Sequence, residues 1–265
     1  MAMTREERQK CIKIAYDRVK EFRQMWELPN EPIKDISSLV VAKEFLLLRF
    51  PNIFGIAGIH LQKKDGDKLI HCIYIDNADP IGRQNFTLAH EIYHAYFEPS
   101  TKGVCMQTNK HDDPIETKAD NFASYLLIPR DKLAQSLFVL FTGKSKKYRN
   151  ISLEQLLKIQ ERFQVSLQAI VYAIDELCNF PDYNSLIPSN INAFKKYYMP
   201  QYWEELMIKS EMNNCYLNTP NPIYEFPENF KSNLIKNYKN GKIQQEDIEE
   251  IFDFFDTQID SSLEV

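Results

Sequence analysis

The stretch Phe86-Thr87-Leu88-Ala89-His90-Glu91-Ile92-Tyr93-His94-Ala95-Tyr96-Phe97 decides how this chain is read. Its apolar residues recur at helical spacing, which predicts a helix over residues 83–97. On a helix His90 and His94 stand one turn apart on one face, so both imidazoles can reach one metal ion. Glu91 is rotated by about 100° from His90, which leaves its carboxylate beside such a metal and not on it. There it can act as general base towards the attacking water. Leu88, Ala89, Ile92, Ala95 and Tyr96 offer an apolar side to pack on a sheet. The bland alternative is a surface helix on which two His and a Glu coincide. Against it, the pattern uses two of the chain's 5 histidines at the required spacing.

A catalytic zinc needs a third protein ligand and one open position. A second helical pattern covers residues 114–128, where Pro129 ends it. Glu116 lies on it, with Asp120 four residues on along the same face. The pair can supply a carboxylate ligand and an outer carboxylate that accepts the free N–H of a ligating His. Ala119 and Ala123 would let the two helices approach closely. Asp113-Pro114-Ile115-Glu116 also reads as N-cap, Pro at the first helical position and capping-box Glu, and Glu116 cannot easily do both jobs. His111, Tyr93 and Tyr125 are the nearby candidates for a second electrophile, although a loop histidine such as His111 is more often simply solvated. Cys105, between the two patterns, is either a small buried hydrophobe or a thiolate able to block the open metal position. His60 and His71 are expected to be solvent-facing or in the core.

The run 86–97, followed by IETKADNFASYLLIP over residues 115–129, resembles the ImmA/IrrE-type zinc metallopeptidases. That family carries H-E-x-x-H and then E-x-x-A-[ND]-x-F-A-x-x-L-L-x-P. Glu116, Ala119, Asp120, Phe122, Ala123, Leu126, Leu127 and Pro129 all match. The resemblance spans roughly residues 36–177. It implies a zincin-like fold, Zn2+ on His90, His94 and Glu116, Glu91 as catalyst and Asp120 in support. It also implies site-specific cleavage of a helix-turn-helix repressor. Family members with long C-terminal parts carry a sensor-like α/β domain; here the segment after Tyr183 is short, aromatic and helical, so no sensor role is carried over.

Working outward, Thr4 and Glu7 form a capping box before Ile12, Ala15, Val19 and Phe22, predicting a helix over Arg5–Met25. Pro29 and Pro32 break it, and a second helix is expected over residues 38–48. Apolar runs at 55–62 and 68–76 flank an Asp-Gly pair and predict an antiparallel hairpin. A short strand is expected at 104–107. Helices at 152–163 and 166–178 have helix-turn-helix spacing. Residues 151–178 hold Lys158 and Arg162 against Glu154, Glu161, Asp175 and Glu176, a net of 2 − 4 = −2. Phosphate recognition needs the opposite sign, so a structural helix pair is preferred and no direct nucleic-acid binding is expected. From Gln244 onward eight acidic side chains accompany an apolar stripe of Ile248, Ile251, Phe252, Phe255 and Ile259. This predicts an acidic amphipathic helix that packs on the chain's own basic surface or meets a basic partner.

Composition bounds the rest. With 44% apolar and 12% aromatic residues the chain can fill a core, and 7 Gly against 17 Phe and 14 Tyr point to a helix-rich protein. A net charge of −5 disfavours a nucleic-acid binder. The N-terminus carries charges where a signal peptide needs an apolar run, and no segment approaches a membrane span. Five scattered cysteines fit a reducing, cytoplasmic setting. The expectation is an α+β chain: a zincin-like domain over 1–180, with a small antiparallel sheet packed by the active-site helix, and a helical extension over 181–265. The expected role is a zinc endopeptidase acting on a protein substrate, a repressor or antitoxin. A metal-stabilised binder that sequesters a regulator is one alternative, and a DNA-binding regulator a weaker one.

Overall fold

In the computed structural model, residues 3–51, 55–98, 104–106, 113–145, 149–222 and 230–254 are described. Helix α1 (Arg5–Met25) starts where Thr4 and Glu7 cap each other reciprocally. Its residues Cys11, Ala15, Val19 and Phe22 recur every three to four positions and are buried. Asp35 caps α2 (Ile36–Ala42) by accepting from the Ser38 amide at 2.9 Å.

The helix expected over 38–48 is only half a helix. It ends at Ala42, Glu44 turns the chain at φ +64, and Leu46–Phe50 form strand β1. Leu46-Leu47-Leu48 is a short apolar run whose period cannot separate helix from strand. Pairing decided it: β1 lies parallel to β3 (Lys68–Asp76), with Leu46 opposite Cys72 and Leu48 opposite Tyr74. Strand β2 (Ile56–Asp65) and β3 make the expected antiparallel hairpin, closed by Gly66 and Asp67 with Asp65 opposite Lys68. Gly66 takes φ +61, a sign that tight two-residue hairpin turns place there. Strand β4 (Val104–Met106) adds outside β2, so the order is β1-β3-β2-β4. The sheet is therefore mixed, not wholly antiparallel, because β1 enters it in the parallel sense.

Helix α3 (Ile81–Phe97) lies on β2 and β3, and α4 (Pro114–Leu127) packs between α1 and α3. Leu88, Ile92, Phe122, Leu126 and Leu127 are fully buried at this seam. Each such side chain contributes roughly 1.5–3 kcal/mol by leaving water, so apolar burial holds α3 and α4 together despite the polar groups they carry. Ala119 and Ala123 are also fully buried and keep the helices close.

Helix α5 (Arg130–Phe141) follows Pro129, then α6 (Leu153–Phe163) and α7 (Leu167–Glu176). The α6–α7 turn is docked on the start of α3. A Cβ on Gly82 would stand 2.5 Å from the Val165 backbone, and Asn85 donates to the Gln164 carbonyl at 2.8 Å. Helix α7 buries Leu167, Ile170, Val171, Ala173 and Ile174. The helix pair thus supports the start of α3.

The buried core does not stop at residue 180, where composition suggested a division. Ile191, Phe194, Tyr197, Leu206 on α8 (Trp203–Met212), Cys215 and Leu217 belong to the same core. Gln160 and Asn218 exchange amide hydrogen bonds in the interior, and Asn218 also donates to Ser210. Beyond them Pro220 bridges to Pro80, just ahead of α3. Helices α9 (Phe230–Lys239) and α10 (Gln245–Phe254) share a separate apolar cluster of Leu234, Ile248 and Phe252. The acidic helix thus covers its stripe with a basic neighbour from its own chain, Lys231 lying over the Phe252 ring, and not with α1. Phe255 and Ile259 lie outside the described residues. No helix among the described residues is long and apolar enough to cross a membrane.

Candidate metal centre

Helix α3 carries His90, Glu91 and His94 into the interior, where all three are buried. Glu116, on the first turn of α4, turns its carboxylate to the two imidazoles. His90 Nε2 lies 3.1 Å from His94 Nε2 and 3.3 Å from Glu116 Oε2, while His94 Nε2 lies 3.7 Å from Glu116 Oε1. Asp113, not Glu116, caps α4 by accepting from the Ile115 amide at 2.8 Å. On the far side of His90, Nδ1 is 2.9 Å from Asp120 Oδ1.

That last contact constrains the chemistry. A carboxylate at 2.9 Å accepts, so the Nδ1 proton of a neutral His90 is spent on Asp120 and Nε2 presents a lone pair. The Nε2 lone pair then faces the Glu116 carboxylate, acceptor against acceptor, and a metal cation between them would make the arrangement favourable. The dimensions fit one. Tetrahedral ligands at zinc–nitrogen and zinc–oxygen distances stand about 3.3–3.4 Å apart, against the 3.1, 3.3 and 3.7 Å found. Among the described residues these three side chains are the group of His, Cys, Asp and Glu able to hold a metal ion. Burial, and then the neighbouring His90, push the His94 imidazole down to about 4. It therefore stays neutral near pH 7, the form that ligates.

Of the other sequence candidates, Tyr93 packs its ring edge-on against His94 at 5.9 Å, and the hydroxyls of Tyr93 and Tyr125 are engaged by other partners. Tyr93 is buried with its hydroxyl 3.5 Å from Glu98, which also pairs with Lys118 at 2.7 Å. Tyr125 donates to Glu176 at 2.5 Å, beneath the guanidinium of Arg130. Burial raises the pKa of both phenols. Neither hydroxyl is presented to the His pair. His111 and the side chain of Cys105 lie outside the described residues.

Residues 53–175, a little under half of the chain, match the IrrE N-terminal-like domain, a peptidase family. This part of the chain is similar to an IrrE N-terminal-like domain. No curated protein matches the chain. The IrrE-like stretch contains β2, β3, α3, α4 and the whole of α6, so it holds every residue of the candidate metal centre.

Two features of the IrrE-like domain escaped the sequence reading. One is Gly58 on β2, which lies against Glu91; an isolated glycine within a strand pattern was the available signal. The other is the pairing of His60 with His71, Nε2 to Nδ1 at 3.0 Å, stacked on Phe45. Burial, then His71 and His94, push the His60 imidazole from 6.5 down to about 4. The unfolded chain binds this proton near 6.5 and the folded chain does not. The stability from a neutral His60 is therefore complete above about pH 6.5 and is lost as the pH falls towards about 4. Urea midpoints measured between about pH 6.5 and 5 should fall in the wild type and fall less in His60→Gln. Equal slopes in the two proteins would remove His60 as the cause.

Proposed function

We propose that the chain is a zinc-dependent endopeptidase of the cytoplasm that cuts a helix-turn-helix repressor or antitoxin at a specific site. The observation that carries the hydrolytic part is the convergence of two imidazoles and one carboxylate, with Glu91 one residue along the same helix, inside a stretch that matches a peptidase family. The repressor substrate rests on the resemblance of the two motifs to the ImmA/IrrE type.

His90, His94 and Glu116 would hold the zinc. A zinc ion there supplies a Lewis acid that polarises the scissile carbonyl and acidifies the attacking water. Glu91 takes the water's proton on its carboxylate and later hands it to the leaving amine. The buried setting of Glu91 excludes bulk water, which strengthens its interaction with the developing charge. Asp120 fixes the tautomer and ring orientation of His90 through the Nδ1 contact.

Metal analysis together with co-expression tests this reading. Purified wild type should carry one zinc per chain, and co-expression with a helix-turn-helix repressor should release two fragments of fixed mass. Asp120→Ala should fold and still bind zinc, with affinity lowered by about 10–100-fold in a chelator competition. Wild type without a transition metal, or an unchanged affinity in Asp120→Ala, would count against the centre as described.

A further inference from the structure

We propose that Gly58 is a positioning residue for the general base: its missing side chain sets where the Glu91 carboxylate stands. The inference rests on the peptidase reading of Glu91 above. A Cβ built on Gly58 would meet Thr87 Cγ2 at 2.6 Å, Glu91 Oε1 at 2.9 Å and Glu91 Cγ at 3.2 Å. Thr87 and Glu91 are four residues apart, hence on one face of α3, and that face lies flat on the β2 backbone.

Gly58 is not among the glycines with positive φ. Its backbone conformation is open to any residue, so space and not conformation demands glycine here. Gly55, Gly66, Gly143 and Gly241 are the reverse case, with positive φ and nothing within 4 Å of the added Cβ. Gly82 is crowded by the Val165 backbone, which ties it to helix packing and not to the site. At Gly58 the crowding groups are the Thr87 methyl and, next, the Glu91 carboxylate. The pairing of β2 with β4 also shifts register between Ile56 and Gly58. Such irregularities bend a strand and re-aim what it presents.

A methyl group at this position forces Thr87 and Glu91 to give way. The imidazoles of His90 and His94 face Glu116 and Asp120 instead, so the metal ligands need not follow. A displacement of roughly an ångström at a reacting group costs on the order of 100-fold in rate. The effect belongs in kcat, because Glu91 acts on the water and does not hold the substrate.

The test uses the full zinc-loaded chain and a proteome-derived peptide library, from which the best-cut peptide is taken for kinetics. Gly58→Ala should keep wild-type zinc content and a cooperative thermal melt, lose about 100-fold in kcat and keep KM within about threefold. Adding Thr87→Ser removes the nearest clashing atom and should return about tenfold of that loss; a merely structural defect would show as an altered melt with zinc lost. Should Gly58→Ala fail to fold, the double variant carries the same comparison against wild type. Unchanged kcat in Gly58→Ala overturns the inference and leaves the peptidase reading intact. Zinc lost in step with rate also overturns it. A library that wild type leaves uncut overturns the peptidase reading, and this inference with it.

Discussion

Replacing Glu91 with Gln should leave zinc content and folding at wild-type levels and remove on the order of 1000-fold or more of the cleavage rate. Gln has the shape of Glu, so it fills the same fully buried space without opening a cavity. It removes only the capacity to take a proton. The ligand set of His90, His94 and Glu116 is untouched, which separates this variant from any that acts by losing the metal. Metal content by mass spectrometry, and fragment masses from co-expression with a repressor, read both halves of the prediction. A Glu91→Gln protein that cuts within about tenfold of wild type would show that the proton is handled elsewhere. If Glu91→Gln and wild type both hold the repressor and neither cuts it, the chain sequesters its partner and hydrolyses nothing.

Much of this site was legible because its chemistry is short-range in sequence. His90, Glu91 and His94 need one helix, and a four-residue spacing on a helix is a statement about space. Glu116 and Asp120 were legible for the same reason, as a second i, i+4 pair between Pro114 and Pro129. Pairing across distant segments was not. Leu46–Phe50 became a strand because β3 offers a parallel neighbour some twenty-five residues later, and nothing local in LLLRF announces it. Gly58 is likewise invisible as a functional residue until α3 is laid on β2. The hydroxyl partners of Tyr93 and Tyr125 were illegible for a related reason. Helical phase puts them near the site in sequence, but the partners that claim their hydroxyls, Glu98 and Glu176, come from packing. The family resemblance covered the motifs and not the extension. For residues 181–222 only composition was available, and composition cannot show that Asn218 reaches Gln160.

Cutting the chain after residue 180 should therefore abolish cooperative folding, whereas cutting it after residue 222 should not. The shorter fragment loses Ile191, Phe194, Tyr197, Leu206, Cys215 and Leu217 from the main core. Six such burials amount to about 10 kcal/mol, which is the size of a whole domain's stability of about 5–15 kcal/mol. Polar losses add to this. Gln160 is left buried without Asn218, and the Ile151 backbone loses both bonds to Asn190, each orphaned group costing roughly 1–3 kcal/mol. The α6–α7 turn that props the start of α3 is then unsupported, so the metal centre loosens along with the fold. Among the described residues, the longer fragment keeps all of these contacts and gives up α9 and α10, whose buried residues Leu234, Ile248 and Phe252 cluster with one another. It should melt within a few degrees of the full chain and bind zinc equally well. Circular-dichroism melts and metal content of the two fragments check this directly. A fragment ending at residue 180 that melts cooperatively and retains zinc would mean that the IrrE-like domain carries its own complete core, and that residues 181–222 only decorate it.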